Sequence, residues 1–116
     1  MKEQTFINAC IDGDIPLVRR GLKRHNPNNQ KLLSLRMACE WGHRKVIKLL
    51  LEDHRIDPAG FGNIALIHAK QSKQFGMMRI LLKDDRVVAG CIKNDQRMIT
   101  EEDQRRIFEE KPHLLV

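Results

Sequence analysis

The sequence predicts an all-α solenoid of about three stacked helical repeats closed by a C-terminal capping helix, and three observations carry that prediction. First, the chain matches itself at an offset of 31 residues: Leu35, Ala38, Leu50, Leu51, Asp53 and Arg55 fall on Leu66, Ala69, Leu81, Leu82, Asp84 and Arg86. Conservative pairs such as Val46/Met77, Lys48/Arg79 and Leu49/Ile80 lie between them. Second, the apolar runs 46–52 and 77–83 are broken only by Lys48 and Glu52, and by Arg79 and Lys83. Positions four apart share one helix face, so each run shows water a narrow stripe and must bury the rest. Third, a looser copy lies upstream, with Ala9-Cys10 over Ala38-Cys39, Gly13 over Gly42 and Leu22 over Leu51. Stacked copies supply the neighbours that such helices need.

In chain order, the units span roughly 3–28, 29–62 and 63–93, each reading as two helices and a loop. The first helices, over 6–12, 33–41 and 64–72, carry Ala9, Ala38 and Ala69, which admit a close neighbour. Gly13 and Gly42 tolerate the left-handed conformation that ends a helix. Asp14 can cap the next helix, with Pro16 in its first turn. In the first copy Arg20 and Gly21 replace Leu49 and Leu50, the pattern of a solvent-facing stack end, and a two-residue deletion after Leu22 predicts a shorter second helix. After Asn94 the register fails. Thr100 followed by Glu101, Glu102 and Asp103 reads as a helix start with acids at the positive end of the dipole. A helix over 101–110 would lay Ile107 and Phe108 on the last repeat, and Pro112 would end it, so 94–116 is the expected cap.

Composition narrows the function classes. A length of 116 residues suits one domain, and 41% hydrophobic with 31% charged residues suits a globular chain. No apolar run approaches the ~18 residues of a membrane span. Three cysteines, two of them following alanine in helical pattern, predict buried thiols in a reducing, cytoplasmic setting. A net charge of +6 admits an acidic partner or nucleic acid.

The block ACEWGHRKVIKLLL, repeated with a period of 31, resembles the ankyrin repeat. Its continuation D-x-R-I-D-P is similar to short arrays in protist and large-DNA-virus ankyrin proteins. The resemblance covers roughly residues 3–93, with departures: Lys73 at the turn glycine, Gln74 in place of His43, and Leu33-Ser34 and Ile64-Ala65 in place of threonine-proline. It implies a non-catalytic protein-binding module, an adaptor or competitor, acting through loop tips and the concave face of the first helices. The resemblance also implies that the His43 ring hydrogen-bonds within the repeat. The family's contact positions just before the turn glycine correspond to Ile11-Asp12, Glu40-Trp41 and Gln71-Ser72.

Two readings of Trp41 stand side by side: an aromatic anchor at the centre of an interface, or a seal packed over Pro16 and Arg20. Phe61, between two glycines in PAGFGN, reads as a contact at a loop tip or as a side chain folded onto the next helix. Asn28 and Asn29 sit at the corresponding tip of the preceding loop and are ordinary turn residues. Arg19, Lys48 and Arg79, with Lys83 one turn on, would align as a convex basic ladder. That ladder is a solvated face or, alternatively, a surface for nucleic acid or another acidic partner. It has no interleaved aromatic for base stacking.

Cys39 and His43 are half of a zinc spacing with no second half, so no metal is expected, and no cofactor either. Ser34 and Ser72 lie outside any nucleophile motif and no phosphate-binding glycine loop occurs, so no enzyme activity is expected. The apolar C-terminal residues Leu114 and Val116 read as packing on the cap, or as a tail that adds to a partner's sheet edge. A monomer is expected, with weak self-association through an incompletely capped stack end.

Overall fold

The computed structural model describes residues 1–93 and Glu109, which is helical and exposed. Within 1–93 lie α1 (Glu3–Asp12), α2 (Ile15–Leu22), α3 (Asn29–Glu40), α4 (Arg44–Glu52), α5 (Gly60–Gln71), α6 (Phe75–Leu82) and α7 (Asp85–Lys93). The pairs α1/α2, α3/α4 and α5/α6 are three helical hairpins. Their first helices pack in the order α1, α3, α5, and α2 packs on α4. The predicted cap over 101–110 and the apolar tail fall outside the described residues, Glu109 excepted.

Burial follows the repeat register. Leu35, Leu50, Leu66 and Leu81 are fully buried, as are Ala38, Ala65 and Ala69, while Lys48, Glu52, Arg79 and Lys83 are exposed. Each buried leucine contributes about 1.5–3 kcal/mol. Asp14 caps α2 through Leu17 N–H at 3.2 Å, with Pro16 in the first turn. Gly13 and Gly42 both end their helices at φ 74, and Lys73 takes the same left-handed role at φ 57.

Three features depart from the sequence-based expectation. Gly21 does not mark a solvent-facing end. It is buried, and a Cβ there would collide with the Phe6 ring. Phe6 stands in the register of Leu35 and Gly21 in that of Leu50, so one large ring fills the volume that two leucines share in the next unit. The second helix of the first unit is not distinctively short, since α2 and α6 both have eight residues. Finally, the segment after the second D-x-R is a helix, α7, where the preceding unit has a loop. Pro58 stops helix formation in that loop, whereas Ala89 in the same register keeps its N–H. Val87, Val88 and Cys91 are buried, and α7 packs against α5 and α6.

The arginines of the two D-x-R sequences tie successive units together. Arg55 is held by Asp53 at 2.9 Å and donates to the Leu22 carbonyl at the end of α2, at 2.6 Å. Arg86, held by Asp84 at 2.7 Å, repeats this one unit later, donating to the carbonyls of Leu51 and Ile56, each at 3.0 Å. The D-x-R pair thus satisfies carbonyls that a helix end leaves without internal partners. Hydrogen bonds from Arg55 hold the Asp53 carboxyl at about 2, below its ordinary 3.8. At Asp84 burial pushes upward, but hydrogen bonds from Arg86 outweigh it and the carboxyl ends below its usual range.

Both α3 and α5 open on a left-handed turn. Gln30, Lys31 and Leu32 have φ of 55, 57 and 61, and Phe61, Gly62 and Asn63 have 53, 66 and 62. The right-handed helix begins at Leu33 and at Ile64, the residues at which the periodicity starts it.

Candidate partner-binding site

The turns joining first to second helices line up along one edge of the stack, and side chains fix their spacing. His43 Nε2 lies 2.7 Å from the Ile11 carbonyl, and because a carbonyl only accepts, Nε2 carries the proton. Gln74 Nε2 donates to the Glu40 carbonyl at 2.8 Å. Ile11 and Glu40 share a register, as do His43 and Gln74. An amide therefore replaces the imidazole without loss of the bond, and the departures at Lys73 and Gln74 leave the turn geometry intact.

On this frame the expected contact residues divide. Asp12, Glu40, Trp41 and Gln71 are exposed, and Ile11 and Ser72 are half-buried, all at the C-terminal ends of α1, α3 and α5 or just beyond. Trp41 is 59% exposed, which argues against its acting as a seal between units. Glu40 Oε2 lies 3.4 Å from His68 Nε2 on α5, across the first-helix face. Phe61 is 58% exposed but opens α5, so it sits about ten residues, roughly 15 Å of helix, from Gln71. The two aromatic residues occupy opposite ends of the first helices. Asn28 is half-buried and occupied, donating to the Arg55 carbonyl at 2.6 Å and accepting from Asp57 N–H at 2.8 Å.

Sequence reasoning missed Phe75, which is 58% exposed at the start of α6. Its register partner is Arg44, so comparing repeats hides it. The available signal was a large apolar residue directly after the turn, outside the apolar run of the second helix.

On the convex side, Arg19, Lys48, Arg79 and Lys83 are exposed as expected. Lys48 and Lys83 line a shallow groove of about 290 Å³ between α4 and α6, but Glu52 and Asp84 line it too. Burial pushes the thiols of Cys10 and Cys39 up to about 12. Burial also raises Cys91, to about 11, against a hydrogen bond from Asn63. All three are protonated and unreactive at neutral pH. Among the described residues no group of three His, Cys, Asp or Glu side chains could hold a metal ion. Ser34 is buried, its hydroxyl donating to the Pro27 carbonyl at 3.0 Å.

Stacked helical hairpins, buried against copies of themselves and exposing aromatic residues at their edges, define a helical repeat solenoid. The chain belongs to the ankyrin-repeat family: residues 6–97 match the family model for ankyrin repeats, in three copies. No curated protein and no solved structure matches it. Ankyrin repeats are in general non-catalytic modules of protein–protein interaction. No helix among the described residues is long and apolar enough to cross a membrane.

Proposed function

We infer that this chain is a non-catalytic protein-binding module, an adaptor or competitor working in a reducing, cytoplasmic setting. It grips its partner through the first-helix face, the turn edge and the loop tips. The observation that carries this reading is Trp41, more than half exposed at the middle of three turns that inter-unit hydrogen bonds hold in place. A preorganised surface loses little entropy on association, so one aromatic anchor there contributes about 2 kcal/mol or more. The concave face adds Glu40 and His68, and Phe61 offers a second anchor at the opposite end of the first helices. The test is affinity capture from the native cell, comparing wild type with the Trp41→Ala/Phe61→Ala double variant. The expected result is loss of the specific partners; undiminished recovery by a folded double variant rejects both anchors.

A second reading, nucleic-acid binding, is favoured by the exposed Arg19, Lys48, Arg79 and Lys83 on the convex side. It requires binding that falls steeply with salt and on reversing Lys48 and Arg79. Absence of any gel shift at low salt ends it. The carboxylates of Glu52 and Asp84 in the same groove make it the weaker of the two.

A further inference from the structure

We propose that the edge around Trp41 and Phe75 docks an acidic segment of a partner protein, one in which carboxylates flank an apolar side chain. This rests on the protein-binding reading above and adds to it the place and the charge of the partner.

Adjoining turns carry the two aromatic residues. Gln74 bonds the Glu40 carbonyl and lies 3.7 Å from the Cβ position of Gly42, so Trp41, between them, neighbours the turn that Phe75 follows. Arg44 Nη2 comes within 3.3 Å of the Cβ position of Gly76, so this guanidinium reaches the start of α6, one residue along the chain from Phe75. Two large exposed apolar side chains thus stand on adjoining turns of the second and third units, at 59% and 58% exposure.

Cations surround them. Arg44, Lys45, Lys70 and Lys73 are all exposed on these two turns, and none forms an ion pair among the described residues. Against them stands Glu40, whose carboxylate faces His68. Arg44 and Lys45 occupy the first turn of α4, where the helix dipole disfavours positive charge and no side chain caps the N–H groups. Their charge is left without a local partner among the described residues and is open to an anionic visitor. A cleft of about 300 Å³ that Arg44 and Lys45 also line opens toward the first unit, against Gly13 and Ile15, and lies outside this patch. Two exposed aromatic side chains among cations fit a segment that carries an apolar side chain between acids.

The sign of charge also gives a direction. The neighbouring turn of the first unit carries exposed Asp12 and Asp14, so an acidic segment seats on the second and third turns and ends before the first. That alternation favours a peptide over a nucleic acid. A strand with a charge on every nucleotide would meet Glu40, Asp12 and Asp14 in turn, whereas a peptide places its carboxylates only where cations wait.

Trp41 is the sole tryptophan of a chain without tyrosine, so intrinsic emission reports this edge alone. A random peptide library is selected on the immobilised full chain, and the enriched peptides are then titrated while Trp41 emission is followed. The expected outcome is enrichment of acidic sequences with an apolar residue, which shift Trp41 emission and bind more weakly as salt rises. Phe75→Ala should weaken them roughly thirtyfold. Arg44→Glu/Lys45→Glu should abolish binding, while Lys2→Glu/Arg24→Glu, the same change in net charge elsewhere, leaves it intact.

Enrichment of peptides without acids overturns the proposal and leaves the protein-binding reading standing. Acidic peptides that bind equally well to Phe75→Ala and to the Arg44/Lys45 variant overturn the site. Recovery of no peptide, with oligothymidine shifting Trp41 emission instead, overturns both readings in favour of nucleic acid. Recovery of no peptide without any oligothymidine effect overturns the proposal alone, and the capture experiment above then decides protein binding.

Discussion

The left-handed turns that open α3 and α5 have the same backbone and opposite chemistry. In the third unit the sequence relieves the strain itself: Gly62 has no Cβ and Asn63 tolerates φ of 62, leaving Phe61 as the strained residue. In the second unit none of Gln30, Lys31 and Leu32 is glycine or asparagine, and each L-residue held there costs about 1–2 kcal/mol. Side chains compensate. Arg36 donates to the carbonyls of Lys31 at 3.0 Å and Gln30 at 3.1 Å, Ser34 ties back to Pro27, and Asn28 bridges to Arg55 and Asp57. The registers of Arg36, Ser34 and Asn28 in the third unit hold Ile67, Ala65 and Ala59, which can make no such bonds. One backbone shape is thus reached with a glycine and a buried asparagine that donates to the Val87 carbonyl at 3.1 Å, or with bulkier residues braced from several sides. The middle unit, flanked on both sides, is the more heavily braced.

The largest effect that tests this contrast is a core truncation. Leu50→Ala and Leu81→Ala each remove a fully buried leucine, at a cost of about 2–5 kcal/mol. The braced second unit collapses less readily into the cavity, so Leu50→Ala should fall at the upper end and Leu81→Ala at the lower. Urea denaturation of the two variants measures this, and equal losses would break the contrast.

Acid tests the clasps of both units next. A carboxyl held near 2 when folded and at 3.8 when unfolded adds stability above about pH 4 and loses it as pH falls toward 2. Asp53→Asn should therefore lower stability at neutral pH and flatten the acid limb of a circular-dichroism titration over that window. Asp84→Asn acts in the same direction through Arg86. An acid limb unchanged in both variants would leave the D-x-R clasps without energetic weight.

Arg36→Ala should cost about 1–2 kcal/mol by uncovering two carbonyls of a strained turn, read as a fall in melting temperature. Gly substitutions give the smallest and most pointed comparison. Lys31→Gly should stabilise the chain by up to about 1 kcal/mol. Gly62→Ala should destabilise it by a similar amount, purely through φ, because a Cβ there has open space around it. Opposite signs at positions in the same register are the outcome the comparison requires.

Much of this architecture was legible in the sequence because local rules set it. The 31-residue period, the polar stripe of Lys48 and Glu52, the Asp14 cap and the helix ends at Gly13 and Gly42 each depend on a few adjacent residues. What escaped depends on tertiary partners. QKL and FGN share no chemistry, and only Gly62 hints that both trace a left-handed turn. Phe6 and Gly21 exchange volume across two helices, which a residue-by-residue register reads as a surface feature. The helix α7 was masked by the very D-x-R repeat that revealed the third unit, although Ala89 in place of Pro58 carried the signal. On the candidate surface, Trp41 stood out as a lone aromatic before a glycine, whereas Phe75 hid behind a charged counterpart.

The arginine clasps point one way. Arg55 fastens the end of α2, and Arg86 fastens the end of α4, so a hairpin already made is locked by residues some thirty positions downstream. On the ribosome the first hairpin therefore emerges unlatched and is secured only after the next has been synthesised. Among residues 1–93 opening should accordingly travel backwards, each lost hairpin releasing the latch of the one before.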